Sequence, residues 1–272
     1  MNITKLYPGG RPKAFNVSYD DGVLQDTRFV ALLNKYGLKG TFNLNSGLMR
    51  REFTWTHESG LCVTRLSESA AKNLYTGHEV ASHTLTHPYM QNLSDDELHR
   101  QMGEDRKNLQ RIFGTEVGGF AVPFDYYDDR IARCAVNCCF EYARMSEVSL
   151  NYEPCRDWYF WKTGVYHIMP ELVPFVEGFL DTDTELAVCQ IVGHSYDLDA
   201  LDLWDTLEDI CAKVANRKDI WSTTNLELVR YLKAMEQAVI TSAGIENRSK
   251  RELWFRADGK TVALNPGEVF TF

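Results

Sequence analysis

The sequence predicts an α/β protein whose parallel strands, covered by helices, close or nearly close into a barrel. Three observations point there. Short apolar runs alternate with amphipathic segments roughly seven times over about 240 residues, the pattern of strand–helix units. No glycine-rich phosphate loop follows the first strand, where an open dinucleotide-binding sheet would carry one. The length of 272 residues suits one large barrel with a sizeable core.

The elements follow in order. Ala14–Asp20, with Phe15, Val17 and Tyr19 alternating, reads as the first strand, and Leu24–Tyr36 as a helix ended by Gly37. Gly40–Asn45 is the second strand; Ser67 then caps a helix reaching Tyr75, and Glu79–His83 is the third strand. Ser94, with Glu97 three places on, opens a long helix closed by Gly114, although Glu97 supplies only part of a reciprocal cap. Gly119–Pro123 is strand four, Asp128–Cys139 a helix and Phe140–Met145 strand five. Leu186–Val192, a helix over Leu203–Ala215, Ile220–Thr224 and a helix over Leu226–Val239 complete the alternation. From about Ser242 the character changes: Leu253–Arg256 and Thr261–Leu264 flank Asp258-Gly259, a hairpin on a two-residue turn. The expected organisation is a barrel domain over residues 1–240 and a small C-terminal β appendage over residues 241–272 packed on it.

Lys and Arg number 29 against 38 Asp and Glu, a net charge of −9, with 44% hydrophobic and 25% charged residues. That is a globular composition, and without a basic run it argues against a nucleic-acid surface or an anionic membrane. A neutral saccharide remains compatible. No apolar stretch approaches the roughly 18 residues that span a bilayer. Met1–Gly10 lacks an apolar signal core, so a cytoplasmic location is expected. The 7 cysteines are odd in number and Cys138-Cys139 are neighbours, which reads as free thiols. Cys134, Cys138 and Cys139 read as small buried hydrophobes rather than zinc ligands.

In parallel α/β folds, catalytic groups gather where strands end. Three such ends carry chemistry: Ser18-Tyr19-Asp20-Asp21-Gly22, His83-Thr84-Leu85-Thr86-His87-Pro88, and Gly193-His194-Ser195-Tyr196-Asp197. One carboxylate and two histidines supply the mixed oxygen and imidazole shell that a divalent cation with open positions requires. Of two adjacent carboxylates, one can bind the cation while its neighbour takes a proton from water. A serine-hydrolase elbow at His194-Ser195-Tyr196 is excluded by Asp197 in place of glycine and by the absence of any histidine downstream.

These residues, in this order, resemble the polysaccharide deacetylases of carbohydrate esterase family four, whose shared region is the NodB-homology domain. Ser18–Gly22 matches the family's Thr-Phe-Asp-Asp-Gly with two conservative changes, and His83–His87 matches its His-Ser/Thr-x-x-His fully. Ala121-Val122-Pro123-Phe124 matches Arg-x-Pro-Tyr in part, Asp157-Trp158 is the candidate for Asp-Trp, and His194 follows a hydrophobic strand as the fifth motif requires. The resemblance implies a distorted seven-stranded β/α barrel and metal-dependent removal of acetyl groups from an N-acetylated or O-acetylated carbohydrate. Asp21, His83 and His87 would bind the metal, Asp20 would be the general base, His194 the general acid, and the Phe124 N–H an oxyanion donor. Zinc is expected, with iron, cobalt, nickel and manganese accepted by the same donors.

The third motif departs from the family: Ala121 stands where an arginine normally pairs with the base. Arg144, near the end of strand five, is the candidate replacement, and Asp157 is a candidate partner for His194 or Arg144. Of the rim aromatics Trp55, Tyr126, Tyr127, Trp158, Trp161 and Tyr196, we single out Tyr126, Trp158 and Tyr196 for stacking on a sugar ring. The alternatives on this fold are hydrolysis of a non-polymeric amide and a catalytically impaired sugar-binding barrel.

Overall fold

The structure, a computed structural model, describes residues 2–50, 52–124 and 126–272. Its sheet is organised around β1 (Lys13–Asp20), every residue of which is buried. Side chains alternate along a strand, so Phe15, Val17 and Tyr19 enter the apolar layer shared with the helices. Asn16, Ser18 and Asp20 face the barrel interior, where they meet Asn225, Asn43 and Arg144.

β2 (Gly40–Leu44), β3 (Glu79–Ser82), β4 (Gly119–Ala121) and β5 (Tyr142–Val148) continue outward from β1, all parallel. β6 (Trp161–Thr163) pairs with β5, and β7 (Val165–Tyr166) pairs with β8 (Ala187–Gly193), which returns to the far side of β1. Only Gly164 separates β6 from β7, so one bent strand joins both edges of the sheet and closes the ring. The bend needs glycine: a Cβ at position 164 would lie 2.5 Å from the Gln190 carbonyl oxygen. β9 (Ile220–Ser222) adds beside Lys13–Phe15, below the level at which β2 begins.

The nine strand segments therefore make eight barrel strands once β6 and β7 are taken as one, against the seven expected. The additional one is Trp161–Tyr166, whose halves are too short, with a glycine between them, to show a strand period.

Besides a single turn at Glu68–Ala71, which is all that forms of the helix expected to reach Tyr75, the helices on the outside are α1 (Asp26–Lys35), α2 (Asp95–Phe113), α3 (Asp129–Asn137), α4 (Leu172–Asp181), α5 (Ser195–Ala200), α6 (Trp204–Ala215) and α7 (Asn225–Met235). The Ser94 hydroxyl accepts the Glu97 N–H at the start of α2, while the Glu97 carboxylate turns to Arg100, so the cap is half of the reciprocal pair. α7 has the full pair, made by Thr224 and Glu227. It stops at Met235 rather than Val239, because Ala238–Thr241 leaves to pair with Gly244–Asn247.

Leu253–Ala257 and Lys260–Leu264 form an antiparallel hairpin across Asp258-Gly259, both at positive φ. The N-terminal strand Ile3–Leu6 pairs onto Leu253–Ala257, a link between distant chain ends that local pattern does not reveal. α7 lies between barrel and hairpin: its Leu228 and Val229 share an apolar cluster with Tyr7, Leu253 and Phe255. Among the described residues, no helix is long and apolar enough to cross a membrane.

Candidate active site

The C-terminal ends of the barrel strands meet at one rim and enclose a cavity of about 440 Å³ lined by Asp20, Asp21, His83, His87, Arg144 and His194 among others. Its volume lies in the usual small-ligand range of roughly 300–1,000 Å³. Val122, Val148, Met169 and Val192 form apolar wall.

Asp21, His83 and His87 each offer a ligand atom, and these atoms lie within 4.8 Å of one another. β1 ends at Asp20, and Asp21 follows it with a left-handed φ of 87°, which turns its carboxylate from the strand path into the cavity. His83 directly follows β3. Its Nδ1 donates to the Ala121 carbonyl at 2.9 Å, which leaves the Nε2 lone pair free. Burial lowers the His83 imidazolium to about 4, and burial also lowers that of His87, so both rings are neutral at pH 7. Burial alone would raise the Asp21 carboxyl, but Arg65 and the neighbouring histidines hold it well below the usual carboxylate range. Its Oδ1 is buried and accepts no hydrogen bond. Two neutral imidazoles and an ionised carboxylate, its Oδ1 ion-paired with Arg65 at 3.0 Å but accepting no hydrogen bond, fit a divalent ion.

Beside this group, Arg144, fully buried on β5, donates from Nη2 to Asp20 Oδ1, and Asn43 Nδ2 donates to the same oxygen at 2.7 Å. Burial would raise the Asp20 carboxyl, yet Arg144, with His83 and His194, holds it below the ordinary value. Ala121 and Arg144 are direct register partners on adjacent strands. The guanidinium missing from β4 is thus supplied from β5 at the same level.

His194 follows β8. Its Nδ1 lies 3.2 Å from Asp197 Oδ2 and 2.7 Å from the Tyr166 hydroxyl, which itself donates to Asp197 at 2.9 Å. With Nδ1 engaged there, Nε2 points toward Asp21 Oδ2 at 3.9 Å. Burial opposes the His194 charge, but Asp197, Asp21 and Asp20 outweigh it and raise its pKa. Tyr196 stacks on the His194 ring at 4.9 Å and reaches Asp21 Oδ2 at 3.4 Å. Phe124 lines the cavity at a positive φ of 57°, with its ring edge on His87. The Ser146 hydroxyl donates to its carbonyl at 2.8 Å.

Three expectations are corrected. Asp157 is exposed in a loop, where its carboxylate accepts the Tyr159 N–H; the partner of His194 is Asp197 and that of Arg144 is Asp20. Trp158 is buried against Trp161 in the cluster under the barrel and does not line the cavity. Tyr126 stands outside the cavity wall with its hydroxyl on Asp128.

The residues that sequence reasoning missed are Asp197, Tyr166, Asn43 and Arg65. Asp197 was detectable, because on a helix that begins after His194 a residue three places on returns to the same face. The others come from segments with no local signature.

Residues 9–143 match the model of the polysaccharide deacetylase family. The chain carries a NodB-homology domain of this family. No curated protein matches it. Among solved structures, the deacetylase domain is similar to the carbohydrate esterase family four domain of a multidomain xylanase from the hindgut metagenome of Trinervitermes trinervoides, at 17% identity over 82% of this chain and 92% of that one, with a TM-score of 0.55. A Streptomyces lividans family four carbohydrate esterase in complex with acetate gives 14% identity, 78% and 92% coverage and a TM-score of 0.52. A Bacillus anthracis pseudoenzyme of the family, as a mutant with restored enzymatic activity, gives 17%, 83% and 70% coverage, and 0.53. At these identities the likeness shows the fold of the deacetylase domain.

Proposed function

We propose that the chain removes acetyl groups from an N-acetylated or O-acetylated carbohydrate, with Asp21, His83 and His87 holding a divalent ion, zinc first among those the donors accept. The observation that carries the reading is the convergence of these three donors, within 4.8 Å, with the Asp20–Arg144 pair and His194 in one cavity. When bound, such an ion supplies Lewis acidity that polarises an acyl carbonyl and makes water more acidic.

The chain's own groups supply the rest. Asp20, kept ionised by Arg144, takes the proton of the attacking water. The Phe124 N–H stabilises the oxyanion; its side chain is not used, so phenylalanine serves as well as tyrosine. His194, held through Nδ1 by Asp197 and Tyr166, gives a proton from Nε2 to the departing amine or alcohol. The intact Asp20–Arg144 pair favours a working enzyme over an impaired sugar-binding barrel.

The test is acetate release from acetylated chitooligosaccharides and acetylated xylan, with and without chelator, alongside metal content. Asp20→Asn is expected to abolish release while metal stays bound; His83→Ala is expected to lose the metal. Equal metal loss in both variants would reverse these assignments, and release that survives complete chelation would refute the metal reading.

A further inference from the structure

Arg65 carries the further inference. A hairpin formed by Thr54–Thr56 and Cys62–Thr64 delivers it to the rim. The root of that hairpin is stitched to the loop after β1: Leu24 N–H donates to the Thr64 carbonyl at 3.0 Å and Leu66 N–H to the Gly22 carbonyl at 2.8 Å. The guanidinium is buried. It donates from Nη1 to the Asp21 carbonyl and, at 2.8 Å, to Asn45 Oδ1, and it packs on the Trp55 ring at 5.2 Å.

Its other end bears on the ligand group. Nη2 lies 3.0 Å from Asp21 Oδ1, yet that oxygen accepts no hydrogen bond, so the guanidinium flanks the carboxylate off the bonding direction. His87 Nε2 faces the same oxygen at 3.8 Å. The oxygen that a cation would use is thus ion-paired with Arg65 without a hydrogen bond, and a fixed positive charge sits beside it. Like charges repel strongly at a few ångströms in a buried site, where solvent screening is weak.

We propose that Arg65 sets the metal affinity of this site, weakening divalent-ion binding through its charge while its hydrogen bonds hold the loop that presents Asp21. The inference rests on the metal reading of Asp21, His83 and His87. Two variants separate charge from scaffolding. Arg65→Gln removes the charge but keeps an amide donor for Asn45 or the Asp21 carbonyl. Arg65→Lys keeps the charge.

The experiment is titration of the metal-stripped protein with Co²⁺, followed by visible absorbance and by calorimetry, with folding checked by circular dichroism. Arg65→Gln is expected to bind Co²⁺ at least tenfold more tightly than the unaltered protein, and Arg65→Lys within about threefold of it. Equal or weaker binding by a folded Arg65→Gln overturns the proposal and leaves the metal reading standing. A tightening in Arg65→Lys as large as in Arg65→Gln overturns it too, because charge is then not the cause. If the unaltered protein binds Co²⁺ no better than His87→Ala, the metal reading and the proposal fall together.

Discussion

Replacing Arg144 with methionine should unmask the cost of burying Asp20. Arg144 is 2% exposed and its guanidinium donates to Asp20 Oδ1. Removing one partner of a buried ion pair typically costs about 3–5 kcal/mol, because the other charge is left uncompensated. At about 2–4 °C per kcal/mol for a chain near this size, Arg144→Met should lower Tm by roughly 6–20 °C at pH 7. The pH dependence gives the mechanism. In the native protein Arg144 depresses the Asp20 carboxyl, so its contribution is present above the unfolded value of about 3.9 and is lost as pH falls through the lower folded value. In the variant, burial is less opposed and the folded carboxyl moves up. Asp20 then destabilises the protein at neutral pH, and acidification relieves that.

The gap in Tm between the two proteins should therefore be widest near pH 7–8 and narrow toward pH 4, as followed by calorimetric unfolding across that range. The double variant Asp20→Asn/Arg144→Met should regain most of the lost stability while releasing no acetate. A pH-independent gap, or a double variant no more stable than Arg144→Met, would refute the reasoning.

Asp197→Asn removes the carboxylate that holds His194 and helps raise its pKa, leaving only Asp21 and Asp20 to oppose burial. A group with a raised folded pKa is protonated up to that value, so the alkaline limb of kcat should move to lower pH by on the order of one unit, with bound metal unchanged. Trp158→Ala should cost about 3–5 kcal/mol in urea unfolding and leave KM for an acetylated sugar unaltered. Exchanging the arginine between strands, with Ala121→Arg and Arg144→Ala combined, should restore measurable acetate release relative to Arg144→Ala alone; no recovery would mean that Arg144 acts through more than its charge.

The core of the rim was legible because each relevant side chain sits next to a punctuated strand end. Asp20-Asp21-Gly22, His83 before Pro88, and His194 after Leu186–Val192 all carry their positions in local pattern. What escaped was non-local. Asp157 and Trp158 match a motif by spelling, but the chain carries them into a loop and under the barrel, where a turn hydrogen bond from the Tyr159 N–H and the Trp161 ring claim them. Arg65 reaches Asp21 from 44 residues away through a hairpin bridge. Trp161–Tyr166 closes the barrel only because Gly164 lets it bend against β8, a contact that no periodicity encodes.

The displaced arginine shows why a motif gap need not mean a functional gap. In a parallel sheet, neighbouring strands present register partners at one height, with side chains pointing to the same face. Ala121 on β4 and Arg144 on β5 are such partners. A long side chain on either strand reaches the same point inside the barrel, and a small one on the other leaves it room. Ala121 is fully buried, its carbonyl is already used by His83 Nδ1, and its methyl lets the Arg144 guanidinium approach Asp20. What the site requires is a cation beside Asp20, and the sheet geometry permits more than one strand to supply it.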